Sequence, residues 1–431
     1  MKITIKRISP THIIFNLYVF SIVLTEGTMY SVLKVAQDHG ITSFTFRIIS
    51  MLAGGLLIVY LLIHNRISIP KNRLNNRLKT IFSLLAYLGI YGIINYSRFN
   101  SYMEGFFIPF FIGVVICFIC NSENLFKIFF DCYRNIAVFI SSLSLLFYIF
   151  GTLFHFIHGI AMTYTNNGWW YPGTNYYYLS FINDWQSINF RGISIVRNVG
   201  IFMEAPGFAV LLTYALWWEL LGMDAPKKKN IFILLITIIT TFSAKAYVAT
   251  FIIILLYLYS RQDNLSRLWK RIRIALLPLL ISLAAVLIFQ AVRFRSVSYD
   301  GDETSFSIRL WDYIATFRAW KDHLIFGSGF YNLEKLYKYY PLERHSGTST
   351  AGIMNILAYG GAYMFLFYLV PLARFLKRGT DAIERYRMYS FVLLIVFNLI
   401  TGNTQYSYFL IFFLAFGYMM NTSKQSVETT N

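Results

Sequence analysis

KKKNIFILLITIITTFSAKAYVATFIIILLYLYSRQDNLSRLWKRIR, residues 227–273, decides the fold. A triple lysine opens it, and residues 261–273 at its other end hold five basic residues. Basic flanks of this kind stay on the cytoplasmic side of a membrane. Both ends of the apolar run 231–260 are then inside, so the chain crosses an even number of times between them. A single helix through the whole run is excluded. Two helices of about 14 residues, each roughly 21 Å long, meet at Ser243, Ala244 and Lys245, which places a lysine within the membrane.

The rest of the chain has the same character. Of its 431 residues 57% are hydrophobic and only 13% charged, against about 25% charged in a soluble domain. Windows 44–63, 136–156 and 274–292 are almost continuously apolar and long enough to cross about 30 Å of hydrocarbon. Residues 66–79 carry five basic and no acidic residues and are also expected inside. The same parity divides the apolar run 388–420 at Thr401-Gly402-Asn403-Thr404-Gln405, because 374–387 is basic. The expected fold is all-α, a polytopic membrane protein of about twelve spans with both termini inside. Spans 1–5 fall in 1–156, an extracytoplasmic loop in 157–201, and spans 6–9 in 202–292. A second extracytoplasmic loop with an amphipathic helix fills 293–350, spans 10–12 fill 351–420, and 421–431 is a disordered tail.

Charge and cysteine content narrow the function classes. The net charge of +18 reports cytoplasmic loops facing anionic lipid and not a nucleic-acid partner. The second long loop balances eight basic against seven acidic residues, and long translocated loops escape the positive-inside bias. The N-terminal MKITIKRISPTHIIFNLYVF has basic residues before an apolar stretch but no small-residue cleavage site, and reads as a retained first span. Cys117, Cys120 and Cys132 lie in or beside one apolar segment, which supports neither a disulfide framework nor a four-ligand metal site. Helix packing and a Cys117–Cys120 redox pair are the two readings left for them.

Three places carry side chains suited to chemistry. The first long loop has ten aromatic residues between Tyr164 and Phe190, suited either to sugar stacking or to an interfacial belt. Behind it come Arg191, Arg197 and Glu204, with Pro206 opening an apolar helix. Glu204 then stands at a helix N-terminus, either as a capping carboxylate paired with Arg197 or as a base beside a bound phosphate. Lys245, inside the membrane, either snorkels to the outer interface or meets an anionic lipid headgroup. In the second loop Leu310, Ile314 and Phe317 form a helical stripe that can lie against the membrane or the bundle. Arg309 and Arg318 flank it from opposite sides, each with an acidic neighbour, Asp312 and Asp322, for an ordinary solvated salt bridge. His345 follows in a loop, either structural or catalytic.

As a set these residues resemble the bacterial O-antigen polymerase and ligase superfamily, specifically the Wzy-type polymerases of capsular and exopolysaccharides. The stretches that carry the resemblance are RNVGIFMEAPGFAVLLTYALWWELL, TTFSAKAYVA, IRLWDYIATFRAWKDHLIFGSGF and NILAYGGAYMFLFYL. The resemblance implies a glycosyltransferase of the bacterial cytoplasmic membrane, with its active site outside, that uses neither nucleotide sugar nor metal and no other cofactor. It would move a growing glycan from undecaprenyl diphosphate to the next lipid-linked repeat unit. Both donor and acceptor would be lipid-linked, with a flippase and a chain-length regulator as candidate protein partners. Carried over by position, Arg191, Arg197, Lys245 and Arg309 bind diphosphate, with Arg309 also counted as catalytic, and Glu204 is the candidate base. Arg318 and Gly329 reproduce an arginine, ten residues, glycine spacing, which adds Arg318 to the substrate-binding set. His345 stands several residues earlier than the family's histidine before span ten. Alanine separates Glu204 from Pro206 where many members join glutamate directly to proline.

Two alternatives stay open. A ligase that passes the glycan to another acceptor uses the same parts. A flippase or other transporter places ionisable residues along a midplane pathway and shows internal repeats. Here the charges gather instead in the two long outer loops.

Overall fold

The structure, a computed structural model, describes residues 10–64, 71–120, 122–166, 169–190, 193–260, 305–340, 349–378 and 382–420. The apolar window 274–292, Arg191, His345 and the tail 421–431 lie outside the described residues. Among the described residues six helices are long and apolar enough to cross a membrane, and three shorter apolar helices accompany them. The chain is a multi-pass membrane protein. It divides into two compact units.

The first unit comprises 1–69, 118–219 and 225–246. Helix Pro10–Thr25 packs on Ser43–His64 and on Ser122–Phe147, and the last of these also packs on Ala205–Trp217 and Lys228–Thr240. Ser43–His64 shows how a lipid-facing helix is built. Ser50, Gly54, Leu57 and Leu61 recur on one buried face, while Leu52, Leu56, Val59 and Ile63 are exposed apolar residues for the acyl chains to cover. Small residues let the helices approach, and Ser21 Oγ donates to Ser50 Oγ at 3.3 Å. At the start of Lys228–Thr240 the fully buried Glu219 accepts hydrogen bonds from the Lys227 backbone N–H and from Asn230 Nδ2. Its other neighbour is Arg134, whose Nε lies 3.4 Å from Glu219 Oε2. A carboxylate at a helix N-terminus is favoured, and burial requires the paired guanidinium.

The stretch expected to be an extracytoplasmic loop carries strands, a departure from the all-α expectation. Strands β1 (Ile160–Asn166), β2 (Trp169–Tyr176) and β3 (Ser180–Ile182) form one antiparallel sheet, and β4 (Ser187–Phe190) pairs with β5 (Ile193–Val196) in another. Tyr164 and Tyr171 face each other across β1 and β2 with ring centroids 5.7 Å apart. Tyr164 and Phe181 close a small core with Met29, Leu33, Val199 and Ala205. The strands belong to the same unit as the helices because their apolar side is buried against helix-flanking chain.

The second unit comprises 70–117, 220–224 and 247–431. Its centre is helix Gly352–Lys377, which packs on Ser305–Asp322, Ala382–Thr401 and Tyr408–Met419. That helix breaks at Gly361, whose φ of 62° and ψ of −167° are non-helical. Carbonyls freed by a break inside a membrane need partners. Tyr91 donates its hydroxyl to Tyr359 O at 2.9 Å, and Tyr87 donates to Tyr363 O at 2.6 Å. Helix Ala382–Thr401 ends at the polar turn, and Ser407 caps Tyr408–Met419 by accepting the Leu410 N–H at 3.2 Å.

Candidate functional site

In the first unit the chain from Arg197 to Ala205 turns at Gly200–Ile201 and passes between two other segments. Phe181 N–H donates to Gly200 O at 2.8 Å, Met29 N–H to Ile201 O at 2.8 Å, and Met203 N–H to Gly27 O at 3.1 Å. Gly200 has a φ of +59°, and a Cβ there would meet the Phe208 ring at 2.8 Å, so glycine alone fits.

The apolar run 231–260 folds as two helices, Lys228–Thr240 and Ala244–Ser260, with 241–243 between them. A helix leaves its last carbonyls without intrahelical partners. Here the residues after β5 supply them. Asn198 N–H donates to Thr240 O at 2.9 Å, and Arg197 Nε donates to Thr241 O at 2.9 Å. Arginine at a helix C-terminus also meets the negative end of the helix dipole. Lys245 follows as the second residue of the next helix and is half-buried. Arg197 and the turn leading to Lys245 are thus brought together.

Glu204 stands at the N-cap position of Ala205–Trp217 with φ −134° and ψ 143°, and its side chain makes no cap hydrogen bond. Gln186 does that work: its Oε1 accepts the Ala205 N–H at 3.1 Å. The expected cap hydrogen bond from Glu204 is therefore corrected: a glutamine from a distant segment takes the Ala205 N–H, and the carboxylate is exposed. Its charge still reaches Tyr164, whose phenol is raised well above the ordinary value, first by burial and to a smaller extent by Glu204 and other neighbours.

In the second unit helix Ser305–Asp322 carries Arg309, half-buried, and Arg318, exposed. Their acidic neighbours bind other side chains, and Asp312 is not solvated. Asp312 is 0% exposed. Its Oδ1 accepts Tyr340 Oη at 2.8 Å, and its Oδ2 accepts both the Thr350 N–H at 2.8 Å and Thr350 Oγ1 at 2.7 Å. Tyr340 and Thr350 stand on either side of 341–348, so one buried carboxylate holds both flanks of that segment. Asp322 accepts Tyr339 Oη at 2.6 Å, and this bond pushes the Tyr339 phenol up to about 12. Of the two places expected for the apolar stripe, membrane or bundle, Leu310 and Phe317 do not pack into the bundle. Leu310 is 52% and Phe317 50% exposed, while Ala315, Thr316 and Ala319 are buried. Small residues allow close approach to the helix beneath, and the large apolar ones face outward.

The glycine-serine-glycine at 327–329 has a backbone role. Ser328 N–H donates to Ala358 O at 2.8 Å and Gly329 N–H to Tyr359 O at 3.1 Å. In return Ala362 N–H donates to Leu324 O at 2.8 Å and Tyr363 N–H to Ile325 O at 2.9 Å. A Cβ on Gly327 would lie 2.3 Å from the Tyr359 carbonyl carbon, and one on Gly361 2.2 Å from Ile325 O. Two of the quoted stretches, IRLWDYIATFRAWKDHLIFGSGF and NILAYGGAYMFLFYL, are therefore one interlocked piece.

Residues 230–356 match the family model described as O-antigen ligase. The match supports the superfamily that the sequence resembles, the O-antigen polymerases and ligases. It takes in the two short helices, Lys245, Arg309, Arg318 and the segment with His345, and leaves Arg191, Arg197 and Glu204 on its N-terminal side. The search of curated proteins found no match. The sequence offers Asp312 only as a solvated neighbour of Arg309, where the structure buries it, and for Asn198 and Gln186 the residue type alone carries no signal.

Proposed function

We propose that the chain is a Wzy-type polymerase, joining undecaprenyl-diphosphate-linked oligosaccharide repeat units into a surface polysaccharide outside the bacterial cytoplasmic membrane. The observation that carries the reading is the seating of Arg197 on the turn before Lys245, with the exposed side chain of Glu204 at a helix start seven residues further on. In this reading Glu204 accepts the proton of an acceptor sugar hydroxyl. The hydroxyl oxygen bonds to the anomeric carbon of the donor glycan, and the bond from that carbon to the diphosphate oxygen breaks. The lipid diphosphate leaves with the electron pair, and Arg197 and Lys245 stabilise its charge. The resemblance assigns the same electrostatic task to Arg191 and Arg309 and a catalytic role to His345.

A ligase reading is favoured by the description of the matching family model. One experiment separates the two. Purified protein in lipid nanodiscs receives lipid-linked repeat units and no other acceptor. A polymerase makes a ladder of longer lipid-linked glycans. A ligase leaves the units unchanged until a different acceptor is added, and that outcome would overturn the polymerase reading.

A further inference from the structure

We infer that Asn198 is a positioning residue for the lipid-diphosphate site, setting Arg197 against the turn that leads to Lys245. The inference rests on the proposed role of Arg197 and deepens it. Asn198 is 0% exposed and joins three segments of the first unit. Its backbone N–H donates to Thr240 O at 2.9 Å. Nδ2 donates to Thr240 Oγ1 at 3.0 Å and to Ser144 Oγ at 3.4 Å, and Oδ1 accepts the Gly200 N–H at 3.0 Å. Every donor and acceptor of the side chain is engaged, as a buried amide requires.

The partners explain why the residue is asparagine. Thr240 Oγ1 already donates to Thr237 O at 2.8 Å, and Ser144 Oγ to Ser141 O at 3.1 Å. Both hydroxyls therefore present only lone pairs to residue 198, and Gly200 presents an N–H. The position needs two donors and one acceptor on a short side chain. An amide meets that need, whereas a carboxylate or an aliphatic group does not. The neighbouring Arg197 takes Thr241 O through Nε. Residue 198 thus fixes the distance and angle at which the guanidinium of 197 leaves the backbone, relative to the helix end that precedes Lys245. A diphosphate bound by two cations depends on that spacing, because the attraction between charges falls with their separation.

The test uses the full chain in lipid nanodiscs with undecaprenyl diphosphate as the probe. Arg197→Ala is expected to weaken binding by about tenfold or more, the loss of a charge-assisted contact. Asn198→Ala should weaken it comparably, and the double variant should bind no worse than Arg197→Ala alone, because both changes remove one interaction. Losses that multiply, or an Asn198→Ala affinity equal to the parent's, would overturn the positioning role. An Arg197→Ala variant that binds like the parent would overturn the diphosphate reading itself, and the inference with it. Should Asn198→Ala fail to accumulate, Thr240→Val decides: it removes one acceptor of the clamp and should weaken binding several-fold (about a lost hydrogen bond), while Thr240→Ser keeps the hydroxyl and restores affinity. Equal affinity for Thr240→Val and the parent also overturns the role.

Discussion

Glu204 and Gln186 divide between them what one residue does at many helix starts. Gln186 accepts the Ala205 N–H, and the exposed Glu204 carboxylate makes no cap hydrogen bond. Glu204→Gln keeps size and polarity but cannot take a proton, so polymer synthesis is expected to fall by about 10²-fold or more. Its thermal stability should stay within about 0.5 kcal/mol of the parent, as for exposed surface changes. Gln186→Ala is expected to do the reverse, costing about 1 kcal/mol of stability. Parallel melting and chain-length assays check both, and near-normal polymer from folded Glu204→Gln would sink the base assignment. Asp312 is a different case, since its buried carboxylate serves three donors. Asp312→Ala strands Tyr340 Oη and both Thr350 donors, and a loss of about 3 kcal/mol is expected. A melting shift no larger than that of a surface control would show that the site relaxes to solvent.

At the scale of elements, the interlock of 324–329 with the broken helix Gly352–Lys377 replaces side-chain packing by backbone pairing. It works only where Cβ atoms are absent. Gly327→Ala drives a methyl into the Tyr359 backbone at 2.3 Å and also strains a φ of +69°. The variant is expected to lose most of its accumulation in membranes. Gly89 offers the contrast: it lies inside helix Lys71–Ile94 with nothing within 4 Å of its Cβ position. Gly89→Ala should be neutral or stabilising by about 0.5–1 kcal/mol. Equal membrane yields for the two alanine variants would contradict the interlock.

For the whole molecule, the proposed twelve-span topology has one decisive test. Reporters fused after Lys229 and after Arg271 should both be cytoplasmic, because positive-inside parity requires an even number of crossings between them. Opposite locations would remove the hairpin and the membrane placement of Lys245. The observed helix break at 241–243 supports two helices in this run, and the side on which the break lies is what the reporters measure.

The membrane class, the apolar runs and the polar interruptions near Ser243-Ala244-Lys245 and at Thr401–Gln405 could be read from the chain alone, although the first break falls at 241–243 and Ala244 and Lys245 already open the second helix. Hydrophobic length and basic flanks act locally, and their effects accumulate residue by residue along the sequence. Part of the strand signal was present too: Ile160, Met162 and Tyr164 alternate with Ala161, Thr163 and Thr165. The superfamily was legible through Arg197, Lys245, Arg309 and their neighbouring motifs. Tertiary structure decided which groups those motifs meet. Gln186 rather than Glu204 caps Ala205, Asn198 binds a helix end more than forty residues away, and Asp312 turns inward while Leu310 faces out. Each outcome depends on which backbone donors and acceptors a distant segment leaves unsatisfied, and that becomes defined only when the segments are packed together.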